Sequence, residues 1–462
     1  MWWTLLLGLL AIVLVVLIRS DSRKALGVGM ILSLLLPCWV THSFFGQKID
    51  LRIAAALVLL LMVPFDPRRR IDWRFNVGDW AVLAMFFVQV ASDSWHDGIS
   101  MAHCVRAFGE WSLPYIVGRL TIESIDDWKW LTGMTVAAAI FLAALSTTEA
   151  ISRRNPFSAV FGERPSDQMG KMGIRNGLKR AEGPTRHPIW FGMVQCLLLP
   201  WTITAASRSL NGDGPGWWVI APVCSLFGIA GANSRGPALV AIIIPYLIGV
   251  FYWPRARRPL IAIGAIVLCA GFLLQSQVRT AMEKWEGSRS SKMVDLDGER
   301  QHLTATSYRW LVLSAYRPAI VRAGFLGYGS ARTSSFPVNV PLGPDALQTK
   351  SYFWSIDNEF LLILLRCGWL GIFTFIAISA SSVWHILQQS SFLAASDRLI
   401  PLAIAASLIA VNMSFVVEWM PGDYGFPFMW LCGAANGIRG TPSAALSVRR
   451  DRGQHPASRG RH

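Results

Sequence analysis

Apolar runs long enough to cross a bilayer recur from one end of this sequence to the other, and nothing else in it limits the fold as tightly. Hydrocarbon offers no water to satisfy backbone N–H and C=O groups, so such runs enter it as helices. At about 20 residues per span, candidate helices fall at 2–18, 26–44, 53–65, 77–90, 100–117, 130–151, 188–206, 217–232, 237–253, 260–274, 359–379, 399–417 and 425–437. The chain therefore reads as an all-α, polytopic helical membrane protein of roughly twelve or thirteen spans. Its 15% of charged residues sits well below the ~25% of soluble domains. No positive residue precedes the first run, and Arg19, Arg23 and Lys24 follow it. A cleaved signal peptide carries charge ahead of its apolar core, so a retained helix with its N-terminus outside is expected.

Charge sets the expected orientation. The turns holding Arg19 and Lys24, Arg68 to Arg70, and Arg255 to Arg258 are basic, as is the tail from Arg449. These place one side in the cytoplasm. The net charge of +15 thus reads as orienting loops and contact with anionic membrane lipids, with no nucleic-acid partner. The expected organisation is N-terminal helices in 1–151, a basic periplasmic loop and central helices in 152–276, a large periplasmic loop in 277–356, C-terminal helices in 357–440 and a basic cytoplasmic tail in 441–462. Basic residues of the first long connection, among them Arg164, Lys171, Arg175, Arg180 and Arg186, run against the orientation rule and point to an anionic ligand. The seven cysteines lie in or beside apolar runs without a C-x-x-C pair, as small packing residues do.

Four segments carry candidate chemistry. The longest polar stretch ends at Ser355-Ile-Asp-Asn-Glu-Phe, which puts Asp357, Asn358 and Glu359 at the mouth of a span, with nine residues between Asn358 and Gly368-x-x-Gly371. A carboxylate at that depth pairs or works. Arg180-Ala-Glu-Gly-Pro-Thr-Arg186-His187-Pro188 leads into another span. Proline suits a first helical turn, and a helix N-terminus attracts anions that Arg180 and Arg186 would grip. A solvated basic loop is the plainer alternative, and His187 beside Pro188 reads as a loop residue before a base. Asn233-Ser-Arg235-Gly-Pro opens a third span in the same manner, where a single arginine would otherwise merely snorkel. Ser307-Tyr-Arg309-Trp begins an amphipathic stretch ending in Gly327-Tyr-Gly329, suited to a membrane surface. Within the fifth span, His103, Arg106 and Glu110 share one helical face. They form either a candidate intramembrane polar site or a pair, Arg106 and Glu110, that neutralises itself.

Taken in order, Arg-x-x-Gly-Pro-x-x-His-Pro (180–188), Ser-Arg-Gly (234–236), Arg309, Gly-x-Gly (327–329) and Asp-Asn-Glu-Phe-Leu with Gly-x-x-Gly resemble the O-antigen ligase and polymerase family of bacterial envelope glycosyltransferases. The resemblance implies transfer of a glycan from an undecaprenyl-diphosphate carrier at the periplasmic face of the inner membrane, with no metal, nucleotide sugar or other cofactor. Arginines grip the diphosphate in that family, which carries over to Arg180 and Arg235; Arg186 and Arg309 are further candidates. In the ligases a His precedes the Asn of the spacing motif, and Asp357 stands there here. That departure favours a polymerase of exopolysaccharide or O-antigen units, with Asp357 as base and Glu359 in reserve. The expected partners are an undecaprenyl-diphosphate-linked oligosaccharide, membrane lipids and, as a candidate, a chain-length regulator. Ligation to lipid A-core or protein is the alternative within the class. A lipid-linked sugar flippase is the alternative outside it, although the long loop argues against that, and a scaffold would not need arginines at several helix mouths.

Overall fold

The computed structural model describes residues 2–19, 21–44, 47–66, 73–162, 173–175, 177–277, 280–281, 292–296, 299–303, 305–334, 338–342 and 356–439. The basic turn at Arg68 to Arg70, Arg164, Lys171 and the basic tail lie outside the described residues.

The first part of the chain forms α1 (Trp2–Arg19), α2 (Ser22–Ser33), the hairpin β1 (Thr41–Phe44) and β2 (Gln47–Asp50), and α3 (Leu51–Met62). Next come α4 (Val77–Asp97), α5 (Met101–Ala107), α6 (Leu113–Thr121), α7 (Ile125–Ser152) and α8 (Pro156–Phe161). A short hairpin, β3 (Ile174–Arg175) and β4 (Leu178–Lys179), precedes α9 (Pro188–Leu210), α10 (Ala221–Gly231), α11 (Arg235–Tyr252) and α12 (Pro254–Leu273). The second long connection holds the hairpin β5 (Lys292–Leu296) and β6 (Glu299–Leu303), then α13 (Ala305–Ala315), α14 (Arg317–Arg322) and α15 (Ser330–Thr333). The described chain ends with α16 (Glu359–Ser390), α17 (Leu399–Ser414) and α18 (Gly422–Gly437).

This is a helical membrane protein. Among the described residues, α7, α9, α11, α12, α16 and the segment Ala395–Ser414 that includes α17 are long and apolar enough to span a bilayer. Shorter apolar helices at Thr4–Leu17, Leu51–Met62 and Gly216–Gly231 accompany them. Two expected spans differ. The run at 26–44 stops as helix α2 at Ser33, and its end turns into the hairpin β1–β2. Pro37, with no N–H and a fixed φ, stands between the two. The run at 100–117 divides into α5, a π turn at Phe108–Ser112, and α6. Pro114 sits in the first turn of α6 and cannot donate to the carbonyl of residue 110, which opens the ladder into a π turn.

Close backbone approach knits the core. A Cβ at Gly118 of α6 would run into the carbonyl of Trp430, and one at Gly433 of α18 into that of Tyr115. Small residues that let helices touch through their backbones are the expected glue where lipid supplies no hydrophobic drive.

Helix α16 is interrupted. Gly368 has φ 66 and ψ −163, inside an otherwise helical run. The break frees backbone groups, and the glycine-rich turn after α14 satisfies them. Tyr328 N–H donates to the Leu365 carbonyl at 2.7 Å and Gly329 N–H to that of Arg366 at 3.0 Å. In return, Trp369 N–H donates to Gly324 O at 3.1 Å and Leu370 N–H to Phe325 O at 3.2 Å. Gly324, Gly327 and Gly329 all have positive φ, and a Cβ at Gly327 would press on the backbone of Gly368 and Leu365. The Gly-x-Gly and Gly-x-x-Gly motifs therefore meet each other. Val312, Tyr316, Ala319, Val338 and Ile356 pack on Leu361, Leu362 and Leu365, so α13 and α14 lie back on the first half of α16 and hold Arg309 near its mouth.

Candidate active site

A buried carboxylate builds the arginine turn. Glu149, near the end of α7, is fully buried. It accepts from the N–H groups of Glu182 at 3.1 Å and Gly183 at 2.9 Å, and from Asn155 Nδ2 at 2.9 Å. Lys179 Nζ lies 3.3 Å away, and Asn155 Nδ2 also donates to the Gly183 carbonyl at 3.0 Å. The turn that this clamp holds ends at His187, whose Nδ1 accepts from Ile189 N–H at 3.3 Å and caps α9. At its start, Ala181 N–H donates to the Gly231 carbonyl at 2.8 Å. Arg180, itself buried, reaches the Ala232 carbonyl with Nε at 3.4 Å. Arg180 is thus fixed where α10 ends and α11 begins.

The N-terminus of α11 faces the same point. Ser234 is its cap residue but makes no side-chain capping bond, so this end keeps polar N–H groups for an anion. Arg175 Nη1 donates to the Asn233 carbonyl at 3.3 Å, and Asn233 Nδ2 to the Arg175 carbonyl at 2.9 Å. Arg235 is the first residue of the helix, and a Cβ on its neighbour Gly236 would lie 3.3 Å from Glu418 Oε1. From the other side, Arg309 Nη2 lies 3.5 Å from Glu418 Oε1 and 3.8 Å from Asp357 Oδ2. Arg180, Arg235, Arg309 and Asp357 therefore converge around Glu418.

Electrostatics shows a centre rich in cations. Burial, with Arg175 and Arg235 adding to it, pushes the Arg180 guanidinium down to about 10. Burial pushes the Glu418 carboxyl up to about 8; Asp357 adds to this, while Arg309 and Arg180 oppose it. Burial and the charge of Arg180 bring His187 down to about 4, so it is a neutral cap at pH 7. Of the carboxylates here, Asp357 is the reachable one, with its side chain 26% exposed against 4% for Glu418.

Other predicted residues take different places. Arg186 stands on the arginine turn but is held by buried Asp423 of α18: its N–H donates to Oδ1 at 2.8 Å and its Nε to Oδ2 at 2.9 Å. A third bond runs from its Nη2 to Asp423 Oδ2, and its guanidinium lies over Trp190 at 5.7 Å. Its grip is on the protein. Glu359 is buried and its Oε2 accepts from Met420 N–H at 2.7 Å. Its own N–H donates to Phe415 O at 2.9 Å and Glu418 O at 3.1 Å. Asn358 caps α16 at Leu361 N–H and donates to the Val416 carbonyl at 2.9 Å. Glu359 and Asn358 therefore pin the strap between α17 and α18 that carries Glu418. His103, Arg106 and Glu110 do not share one regular helical face, because the π turn intervenes. Glu110 pairs with Arg366 Nη1 at 2.7 Å and accepts from Gln89 at 3.3 Å.

Sequence reasoning missed Glu418 and Glu149 as parts of the centre. Glu418 did carry a signal, a lone carboxylate in the apolar stretch Phe415-Val-Val-Glu418-Trp, which marks a paired or working group.

The fold and centre define a multi-pass membrane protein whose extramembrane connections and helix mouths bring arginines and carboxylates together. Residues 220–376 match the family model described as O-antigen ligase. This bears out the resemblance to the O-antigen ligase and polymerase family and its glycosyltransferase-like enzymes. The matched region holds Arg235, Arg309, Asp357 and Glu359; Arg180 and Glu418 flank it. No curated protein and no solved structure matches the chain.

Proposed function

We propose that this chain is a polymerase that transfers glycan units from an undecaprenyl-diphosphate carrier to a sugar hydroxyl at the periplasmic face of the bacterial inner membrane. The observation that carries this reading is the convergence of Arg180, Arg235 and Arg309 with Asp357 at an N-terminus of α11 that lacks a side-chain cap. In the transfer, the acceptor oxygen forms a bond to the anomeric carbon as the bond from that carbon to the diphosphate oxygen breaks. The electron pair leaves with the diphosphate, and the acceptor's proton passes to the Asp357 carboxylate. Guanidiniums fixed beforehand stabilise the charge gathering on the leaving group, and their planar forks suit phosphate oxygens. The partly exposed Asp357 has the position for the base role, which leaves Glu359 as a brace. The Asp in place of the ligases' His favours polymerisation over ligation.

The test is transfer by the purified protein in liposomes, supplied with undecaprenyl-diphosphate-linked repeat units and EDTA. A ladder of longer glycans on the carrier is expected. Glycan moved only to lipid A-core would establish the ligase reading, and repeat units merely carried across the bilayer would overturn both.

A further inference from the structure

On the other side of the strap that carries Glu418 lies a cavity of about 190 Å³, room on the order of six waters. Its polar wall comes from Lys48 and Asp50 of β2 and from Arg106 and Glu110; Met420 and Gly422 form the facing side. Its two carboxylates are held by arginines outside the lining. Asp50 accepts from Arg52 Nη2 at 2.6 Å and Glu110 from Arg366 Nη1 at 2.7 Å. They are thereby fixed as acceptors with their charge offset, on a wall that also carries Lys48 and Arg106.

We infer that this cavity is a subsite for a sugar residue of the acceptor glycan. The inference rests on the transfer reading above and assigns the acceptor a place. A sugar hydroxyl both donates and accepts, so a ring bearing several of them matches a wall of mixed donors and acceptors. An acyl chain would strip water from four charged groups and give nothing back. A simple anion carries no donor for the two carboxylate acceptors. The location suits transfer as well. Met420 in the cavity and Glu418 in the arginine centre stand two residues apart, no more than about 7 Å along an extended chain. Glu359 holds that strap between the two sites by its bond to Met420 N–H. A polar chain also runs from the arginine turn to the cavity: Arg186 binds Asp423, whose carbonyl accepts from Arg52 Nη1 at 2.8 Å, and Arg52 binds Asp50.

Two lining glycines make the test clean. A Cβ at Gly422 meets nothing within 4 Å, and one at Gly109 meets only Ile53, at 3.7 Å. Gly422→Leu and Gly109→Val thus fill the cavity without striking backbone, and Gly216→Leu, at an equally open glycine elsewhere, is the control. The probes are undecaprenyl diphosphate alone, for the carrier site, and the oligosaccharide released by mild acid from lipid-linked repeat units, for the acceptor site. In the liposome assay, each filling variant should raise the KM for the oligosaccharide tenfold or more and weaken its direct binding to match. Affinity for undecaprenyl diphosphate should stay within twofold, and the control should behave as wild type. Wild-type KM and oligosaccharide binding in both filled variants would overturn the subsite and leave the transfer reading standing. A wild-type protein that binds undecaprenyl diphosphate yet transfers no sugar would overturn the transfer reading and the subsite with it.

Discussion

At the scale of single residues, the centre gathers arginines around a buried carboxylate, Glu418. Arg180 is buried, with Arg175 and Arg235 close enough to push its guanidinium down, and a bound diphosphate relieves that repulsion. Arg180→Lys and Arg235→Lys keep the charge but lose the fork. Each should weaken binding of undecaprenyl diphosphate at least tenfold and abolish polymer while the protein still inserts; tight binding by both variants contradicts the assignment. Glu418 supplies a pH dependence. Its carboxyl, ordinarily near 4.5, is pushed up to about 8, and a bound anion raises it further, so binding above pH 8 requires uptake of a proton. Affinity for undecaprenyl diphosphate should hold steady from pH 6 to 7.5 and fall as pH rises past about 8, by up to about tenfold per unit for one proton. Glu418→Gln should remove the fall; its persistence in that variant would assign it to another group. Asp357, Arg180 and Arg235 were legible in the sequence because each stands near a helix mouth with proline, glycine or asparagine around it, and Arg309 because it begins an amphipathic stretch. Glu418 was passed over at the end of an apolar run, although a lone carboxylate there marks a paired or working group. The partners of Arg186 and Glu110 lie 237 and 256 residues away, and no local spacing reveals such a pair.

Elements carry these residues into register. The glycines of 324–329 and Gly368 read from sequence as motifs; their meaning is a broken helix whose freed groups bond to a turn. A residue with a Cβ at Gly368 faces both a φ of 66 and the carbonyl of Phe325. Gly368→Ala should cost on the order of 1–3 kcal/mol from backbone strain alone. It should also lower transfer, because α16 begins with Asp357 beside its cap; an unchanged melting temperature in detergent would argue against the break. The Glu149 clamp is the matching device for the arginine turn. Glu149→Ala leaves the N–H groups of Glu182 and Gly183 without their partner, about 1–3 kcal/mol for each unsatisfied group. Carrier binding should fall with stability in that variant, while Glu149→Gln, which still accepts, recovers part of both. Helix existence was well read for 130–151, 188–206 and 237–253, where apolar runs are long and the observed helices α7, α9 and α11 cover or nearly match them. It failed at 26–44 and 100–117, where a proline outweighs apolar composition.

The whole molecule is a membrane bundle in which residues 220–376 match the O-antigen ligase family model, and the positive-inside rule leads one to expect its N-terminus and the 277–356 connection on the periplasmic side. A reporter that works only in the periplasm should be active when fused within residues 298–301 and silent after Arg450; the reverse pattern would put the centre on the wrong face for a periplasmic carrier. On that face, the central claim is a division of labour, with arginines holding the diphosphate and Asp357 taking the acceptor's proton. Asn caps a helix about as well as Asp but takes up no proton. The most direct measurement is therefore a single-turnover assay of Asp357→Asn with lipid-linked repeat units already bound. The account predicts wild-type donor binding and a transfer rate about 100-fold lower or worse; transfer at the wild-type rate would contradict it.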